Sequence, residues 1–415
     1  MAEAPKSGVA SGAGFAVAVL TAMNLLNYID RYVPSAVKDL FKQELHFSDL
    51  QTSLPLTAFV IVYMLTSPIF GGLADRRSRK FLIAGGVALW SLATAGAALA
   101  TGFLSFIFAR ALVGVGEAAY ATISPSLLSD YFPPARRNRI LTIFYVAIPV
   151  GAALGFTLGG IVGGAYGWRA AFLVCGLPGL LAAGLALLIR EPARGALDPG
   201  PPGAAPSWPE ALRKLRATAP YLFAVAGYVA VTWAGGGMAD WFPTYLSRYR
   251  GMSLAEAGSL TGTATVVGGL AGTLVGGLLA DWLKPRSRSP YLALSCTAMI
   301  PSAGFALLAI LGHGKLMIGV GILLCQFFLW FYNGPINAII VNSVGANMRA
   351  RAVSISILSI HLLGDAISPP IIGAISDQTG SLLNGVLLIP VMMLVGAAIW
   401  GTGWRRLPAL AVAGG

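Results

Sequence analysis

Apolar residues come in runs of about twenty, separated by short polar breaks. The runs fall at 14–35, 50–73, 80–100, 103–128, 138–162, 169–190, 219–246, 255–282, 290–311, 315–341, 351–375 and 382–404. A hydrocarbon core of about 30 Å needs about twenty helical residues to cross it. The pattern therefore predicts an all-α membrane protein with twelve transmembrane helices. One long polar interval, EPARGALDPGPPGAAPSWPEALRKLR from Glu191, is rich in proline and glycine and then basic. It divides the runs six and six. The predicted organisation is a six-helix bundle over 1–190, a cytoplasmic linker over 191–217 and a second six-helix bundle over 218–415.

Composition supports this reading. The 415 residues are 56% hydrophobic and only 11% charged, against about 25% charged in soluble domains. The net charge of +12 would suit a nucleic-acid partner, but its placement excludes one. With alternate loops assigned to the cytoplasm, eighteen basic residues fall on that side and six on the other. This is the positive-inside bias, and it puts both termini in the cytoplasm. The opening MAEAPKSGVASGA leads into a long run carrying Asn24, Asn27 and Asp30, so a first span is expected rather than a cleaved signal. Cys175, Cys296 and Cys325 lie in apolar runs, and His46, His313 and His361 form no cluster. No metal site and no cofactor are implied. Without a GxSxG motif or a nucleophile–base pair, no enzyme is expected.

The halves repeat. GGLADRRSRK (71–80) follows the second run and GGLLADWLKPRSR (276–288) follows the eighth. Each has glycine four residues before aspartate, then a basic cluster. Arg137-Asn138-Arg139 recurs in the same way as Arg349-Ala350-Arg351, again at roughly 210 residues. Such a repeat implies two pseudo-symmetric bundles with a cavity between them. Gly71-x-x-x-Asp75-Arg76-x-Ser78-Arg79-Lys80 resembles the loop signature of the major facilitator superfamily, with Ser78 where glycine is usual. Asp75, Arg76, Arg79 and the repeated Asp281 are accordingly expected to gate the cytoplasmic rim, Asp75 acting as a latch that accepts hydrogen bonds.

Charges inside the runs carry the functional signal. Arg110 and Glu117 are seven residues apart in FLSFIFARALVGVGEAAYATI, on one helix face. A charge at the bilayer centre costs at least about 2.5–3.5 kcal/mol. It marks either a substrate or ion pathway or a salt bridge between helices. The first run adds Asn24, Asn27, Tyr28, Asp30 and Arg31. Asp30 lies roughly 24 Å up its helix and Arg110 roughly 10 Å below the outer side, at similar depth, so they pair if their helices touch. Glu117 lies deeper and has no partner adjacent in sequence. Proton coupling at Glu117 and Asp30 is favoured over permanent pairing.

Other runs supply further candidates. His361 and Asp365 are one turn apart in SIHLLGDAISPP, a coupling or substrate site or simply a hydrogen-bonded pair. Gln326, Trp330, Asn333 and Asn337 follow one face, flanked by Phe327 and Phe331. That stripe reads as a cavity wall, the alternative being helix packing through amides. Trp233, Gly235–237 and Asp240 mark a flexible, broken stretch. Gly151, Gly155, Gly159 and Gly163 recur every four residues behind Pro149, a ridge for close helix packing.

Taken together, NYIDR (27–31), RALVGVGEAAY (110–120), FYVAIPVG (144–151), REP (190–192) and HLLGDAISP (361–369) closely resemble the Spinster family within the major facilitator superfamily. Animal Spinster proteins move sphingosine-1-phosphate and lysophospholipids, and bacterial relatives resemble proton-linked lipid transporters. The resemblance implies a major facilitator fold. It makes Asp30, Arg110 and Glu117 the coupling and head-group residues and His361 a cavity residue. Asn27, Tyr28, Tyr120, Trp233 and the stripe from Gln326 to Asn337 join Arg110 as expected substrate contacts. Small residues and short loops point to a bacterial inner-membrane protein, expected as a monomer.

The expected function is proton-coupled alternating-access transport of an amphipathic lipid, such as a lysophospholipid or a sphingosine-1-phosphate-like molecule. The alternative is transport of small organic anions such as sugar acids, or of drug-like compounds.

Overall fold

The computed structural model describes residues 9–194, 207–283 and 289–407. The proline-rich part of the expected linker, 195–206, and the basic cluster 284–288 lie outside the described residues. No β-strand occurs among those described. The helices are α1 (Ala13–Ala36), α2 (Lys38–Leu45), α3 (Asp49–Arg76), α4 (Arg79–Ala97), α5 (Phe103–Tyr131), α6 (Pro134–Gly176), α7 (Pro178–Leu187), α8 (Trp208–Arg216) and α9 (Ala219–Arg250). They continue as α10 (Leu254–Leu283), α11 (Pro290–Leu311), α12 (Lys315–Leu329), α13 (Asn333–Asn342), α14 (Arg349–Ile360), α15 (Ser368–Thr379), α16 (Leu382–Val386) and α17 (Leu388–Arg406).

Among the described residues, 11 helical stretches are long and apolar enough to cross a membrane. One of them, Arg139–Leu187, has 49 residues, about 74 Å at 1.5 Å per residue and more than twice a hydrocarbon core. It takes in the expected runs 138–162 and 169–190. Gly167 breaks it at φ 84°, a left-handed conformation that only glycine adopts readily.

The described residues form two compact units. The first comprises 9–47, 54–194 and 253–259, and the second 48–53, 207–252, 260–283 and 289–407.

In the first unit α1 packs on α6, and α4 on α5 and α7. The glycine ridge of α6 is the α1 contact. A Cβ at Gly151 would lie 2.7 Å from the Leu25 carbonyl and the Tyr28 Cβ, and one at Gly155 2.6 Å from the Ile29 carbonyl. Only backbone-level approach brings α1 this close, and it fixes the stretch from Tyr28 to Arg31. An aromatic cluster of Phe41, Phe47, Phe106, Trp168 and Phe172 anchors α2 against α5 and α6.

The second unit packs in a parallel way, α9 on α17, α11 on α12 and α17, and α9 on α14 and α15. Here the expected broken stretch at Gly235–237 is corrected: α9 runs continuously from Ala219 to Arg250. The small residues serve close packing instead. A Cβ at Gly236 would lie 2.5 Å from the Asp365 Cβ, and one at Gly237 2.6 Å from Ile372. Two other helices are irregular, with a 3-10 turn at Trp330–Tyr332 and a π segment at His361–Asp365. Single π turns inside helices are frequent at functional sites.

The first turn of α3 is also held in this unit. Arg248 donates two hydrogen bonds to the Asp49 carboxylate at 2.8 and 2.9 Å, and Ser376 donates one. The Asp377 carboxylate accepts from the backbone N–H groups of Asp49 and Leu50 at 2.8 and 2.9 Å. It caps donors that a helix N-terminus leaves unsatisfied.

Candidate functional site

Four charged side chains meet inside the first unit, far from any loop in sequence. α1 supplies Asp30 and Arg31, and α5 supplies Arg110 and Glu117. Arg31 Nη2 donates to Glu117 Oε2 at 2.6 Å. The Glu117 side chain is wholly buried, whereas Arg31 keeps 20% of its surface. Thr94 on α4 donates to Asp30. Arg110 lies within electrostatic reach of both carboxylates. Both guanidinium groups lie against the ring of Phe59 on α3, Arg31 at 4.9 Å and Arg110 at 5.6 Å, and the Tyr28 ring lies 4.7 Å from Arg31. Aromatic faces stabilise guanidinium groups where water is absent.

This geometry bears on several expectations. Glu117 is not isolated, because Arg31 is its counter-ion. Asp30 and Arg110 are neighbours, but Asp30 Oδ2 is taken by Thr94, and Asp30 Oδ1 and Arg110 Nη1 are buried without a hydrogen bond. Nor is Arg110 the accessible cation. It is 1% exposed, and Arg31, with 20% of its side-chain surface exposed although its Nε is buried, is the more accessible of the two. Asn27 is also buried, its Nδ2 without a partner. Tyr120, expected to touch substrate, is fully buried; its hydroxyl donates to the Leu20 carbonyl at 2.6 Å and its ring packs on Trp90.

In the second unit, His361 Nδ1 and Asp365 Oδ2 lie 2.9 Å apart, both side chains partly accessible. The amide stripe is largely self-satisfied. Trp330 Nε1 donates to Gln326 at 3.1 Å, Gln326 to Thr265 at 3.3 Å, and Asn337 to the Asn333 carbonyl at 2.7 Å. The 3-10 turn at Trp330 shifts its register. Trp233 and Phe331 are buried, and Phe327 packs edge-on against Phe331.

At the end of the first unit carrying the loop signature, the buried residue is Arg79, not Asp75. Asp75 and Arg76 are exposed; the Asp75 backbone carbonyl accepts from Arg194, and its carboxylate has no partner among the described residues. Asp281 is likewise exposed. Arg79 donates to Glu191 through Nε at 2.9 Å, to Asp130 through Nη1 and to the Pro192 carbonyl through Nη2 at 3.1 Å. Ser78 adds a bond to Glu191 at 2.7 Å. Burial opposes the Glu191 charge. The bonds from Arg79 and Ser78 outweigh it and hold the carboxyl below the usual glutamate range. A cavity of about 360 Å³ opens beside this clasp, lined by Gly71, Asp75, Arg79, Asp130 and Arg194 among others.

Residues 20–369 match the model of the Major Facilitator Superfamily. Protein spinster homolog 1 of Homo sapiens is 36% identical over 385 residues, covering 87% of this chain and 72% of the human protein. Protein spinster homolog 3 of Danio rerio is 34% identical over 383 residues, covering 88% and 76%. The chain belongs to the Spinster family. A crystal structure of a bacterial homolog to the human lysosomal transporter Spinster, inward-facing and occupied, superposes with a TM-score of 0.84 over 96% of this chain and 98% of that one. At 22% identity this likeness establishes the shared fold. The protein is therefore an integral membrane transporter of the major facilitator fold, not an enzyme.

For this Spinster protein, two groups of residues escaped sequence reasoning. Arg31 stood beside Asp30 in NYIDR, and that adjacency was the available signal. Glu191 stood in the REP motif, but nothing in the sequence linked it or Asp130 to Arg79, from which they lie 112 and 51 residues away.

The rim gives a direct test. Arg79→Ala strips Asp130 and Glu191 of their shared cation, and breaking a buried pair costs about 3–5 kcal/mol. A clear fall in the thermal unfolding midpoint in detergent is expected. Asp75→Asn alters an exposed group and should stay within about 0.5 kcal/mol of the parent. Because the Glu191 carboxyl is held low, its contribution is complete above the usual glutamate range. It is lost progressively as pH falls from the usual glutamate range through the lowered value. A midpoint that declined already on mild acidification in the parent, but not in Glu191→Gln, would contradict this.

Proposed function

We propose that this Spinster protein is a proton-coupled alternating-access transporter of an amphipathic anion, a lysophospholipid or a sphingosine-1-phosphate-like lipid. Twelve spans in two pseudo-symmetric bundles, with both termini cytoplasmic, are the arrangement this reading uses. The observation that carries it is the buried Arg31–Glu117 pair, one member accessible and the other sealed from water.

Asp30 and Glu117 offset Arg31 and Arg110, so the cluster is formally neutral. A proton on Glu117 releases Arg31 and leaves one excess positive charge. An anionic head group can balance that charge, and guanidinium suits bidentate phosphate binding. Loss of the proton restores the ion pair and displaces the head group. Binding of the two ligands is thereby coupled through one guanidinium. Arg110 stands behind Arg31, and Asp30, held by Thr94, completes the balance. His361 and Asp365 form a second exchangeable pair. Tyr28, beside Arg31, contributes an apolar face for the chain of the lipid. Arg79, with the surface groups Asp75, Arg76 and Asp281, gates the rim.

Proteoliposome flux decides among substrates. Radiolabelled lysophospholipid is expected to accumulate under an imposed pH gradient and to stop when the gradient is collapsed. Accumulation of a hexuronate in place of lipid would replace the lipid assignment with a small organic anion. Lipid flux indifferent to pH would remove the proton.

A further inference from the structure

We infer that α8 is a membrane-surface helix that docks on anionic phospholipid head groups of the adjoining leaflet. Only Ala217 and Thr218 separate α8 from α9, a membrane span. The end of α8 therefore sits at the boundary between membrane and water.

The nine residues are sorted by face. At 100° per residue, Ala211, Leu215, Trp208 and Leu212 form one apolar arc. Half of that arc is used within the second unit: Ala211 and Leu215 are 0% and 2% exposed. The other half is open, with Trp208 at 54% and Leu212 at 38%. Arg216 and Arg213 follow beyond Leu212 on the wheel, with Pro209 between them. Both are exposed, and among the described residues neither makes an ion pair. Lys214 lies on the opposite flank, bound to Glu210 at 2.7 Å. The pattern is an apolar edge with free guanidinium groups beside it, as in helices that lie in a lipid interface.

Arg351 fixes the orientation. Its guanidinium stacks 5.0 Å from the Trp208 ring, and its buried Nη1 has no hydrogen-bond partner. Glu210 feels both Arg213 and Arg351 as well as Lys214, so the cations share one neighbourhood. On α8, three bases stand against one acid, and Arg351 adds a fourth base. The complementary surface is anionic, and next to a span that surface is lipid. Trp and Arg are the side chains that settle at head-group depth. This inference needs only the membrane placement and is independent of what is transported.

Hydrogen exchange of the full chain in nanodiscs tests it. Backbone exchange across 207–218 is expected to be at least about fivefold slower in nanodiscs containing phosphatidylglycerol than in pure phosphatidylcholine, the gain of roughly one basic residue at an anionic surface. High salt should erase the difference. Arg213→Gln combined with Arg216→Gln should erase it too. Both residues are exposed, so the thermal midpoint of this variant should match the parent. Trp208→Ala should speed exchange in both lipids. Equal exchange of the parent in the two lipids would overturn the inference. So would lipid-dependent protection that survives the double substitution, or protection gained only on adding an acidic peptide.

Discussion

Glu117→Gln is expected to abolish accumulation of substrate against a pH gradient while leaving exchange of substrate across the membrane intact. Glutamine keeps the shape of the side chain and can accept a hydrogen bond from Arg31, but it carries no proton. The cluster of Asp30, Arg31, Arg110 and position 117 then holds one positive charge permanently, which is the charge of the protonated parent. An anionic substrate still finds Arg31 free. Exchange does not require a proton to leave, so it continues; net uphill movement does require it, so it stops. The structural cost is limited because Arg31 retains 20% of its side-chain surface and keeps a hydrogen-bond acceptor at position 117. The ion pair is replaced by a bond from the still-charged guanidinium to a neutral amide, which remains charge-assisted and worth about 1.5–3 kcal/mol. The measurement is paired: uptake driven by an imposed gradient, and counterflow at equal pH, on the same reconstituted sample. Parental uptake in the variant would remove Glu117 as the carrier. Loss of both activities together with a lowered unfolding midpoint would make the pair a lock between α1 and α5.

What could be read from the sequence follows the range of each contact. His361 and Asp365 are four residues apart, so their meeting at 2.9 Å is local helix geometry. The glycine ridge on α6 declared a close approach through its four-residue period, although not that α1 would fill it. The Arg31–Glu117 pair was obscured by counting depth along Cα positions. In a helix each Cα–Cβ bond tilts toward the N-terminus. On α1, read as running outward, Arg31 therefore leans inward; on α5, read as running inward, Glu117 leans outward. Two residues that differ in Cα depth thus converge at their tips. At the rim, the loop signature drew notice to Asp75, but burial decides which charge is held. The groups that bury Arg79 arrive from Asp130 and Glu191, which no local pattern connects to it. The Gly235–237 triplet failed for the opposite reason. Glycines at a break and glycines at a close contact look alike until the neighbour is known, here Asp365 and Ile372.

Arg31→Ala is expected to weaken binding of a phosphate-bearing lysolipid by about tenfold to a hundredfold, while its dephosphorylated counterpart changes by no more than about threefold. The range is the 1.5–3 kcal/mol of a charge-assisted hydrogen bond converted at about 1.4 kcal/mol per decade. Arg31 is the cation for this role because it is the accessible one, stacked on Tyr28 and Phe59 and tied to a single carboxylate oxygen. Arg110 is 1% exposed and lies 5.6 Å from the same Phe59 ring. Its removal unbalances Asp30 and Glu117 rather than deleting a phosphate contact, so Arg110→Ala should weaken both lipids alike. Alanine at position 31 leaves the buried Glu117 without its hydrogen-bonded cation. The double variant Arg31→Ala with Glu117→Gln removes that complication, and its preference between the two lipids should be as flat as that of Arg31→Ala alone. Binding is read by quenching of tryptophan fluorescence in detergent across both lipids. Equal losses for both lipids in Arg31→Ala, with selective loss of the phosphate lipid in Arg110→Ala, would transfer the head-group contact to the deeper cation and leave Arg31 as the counter-ion of Glu117 alone.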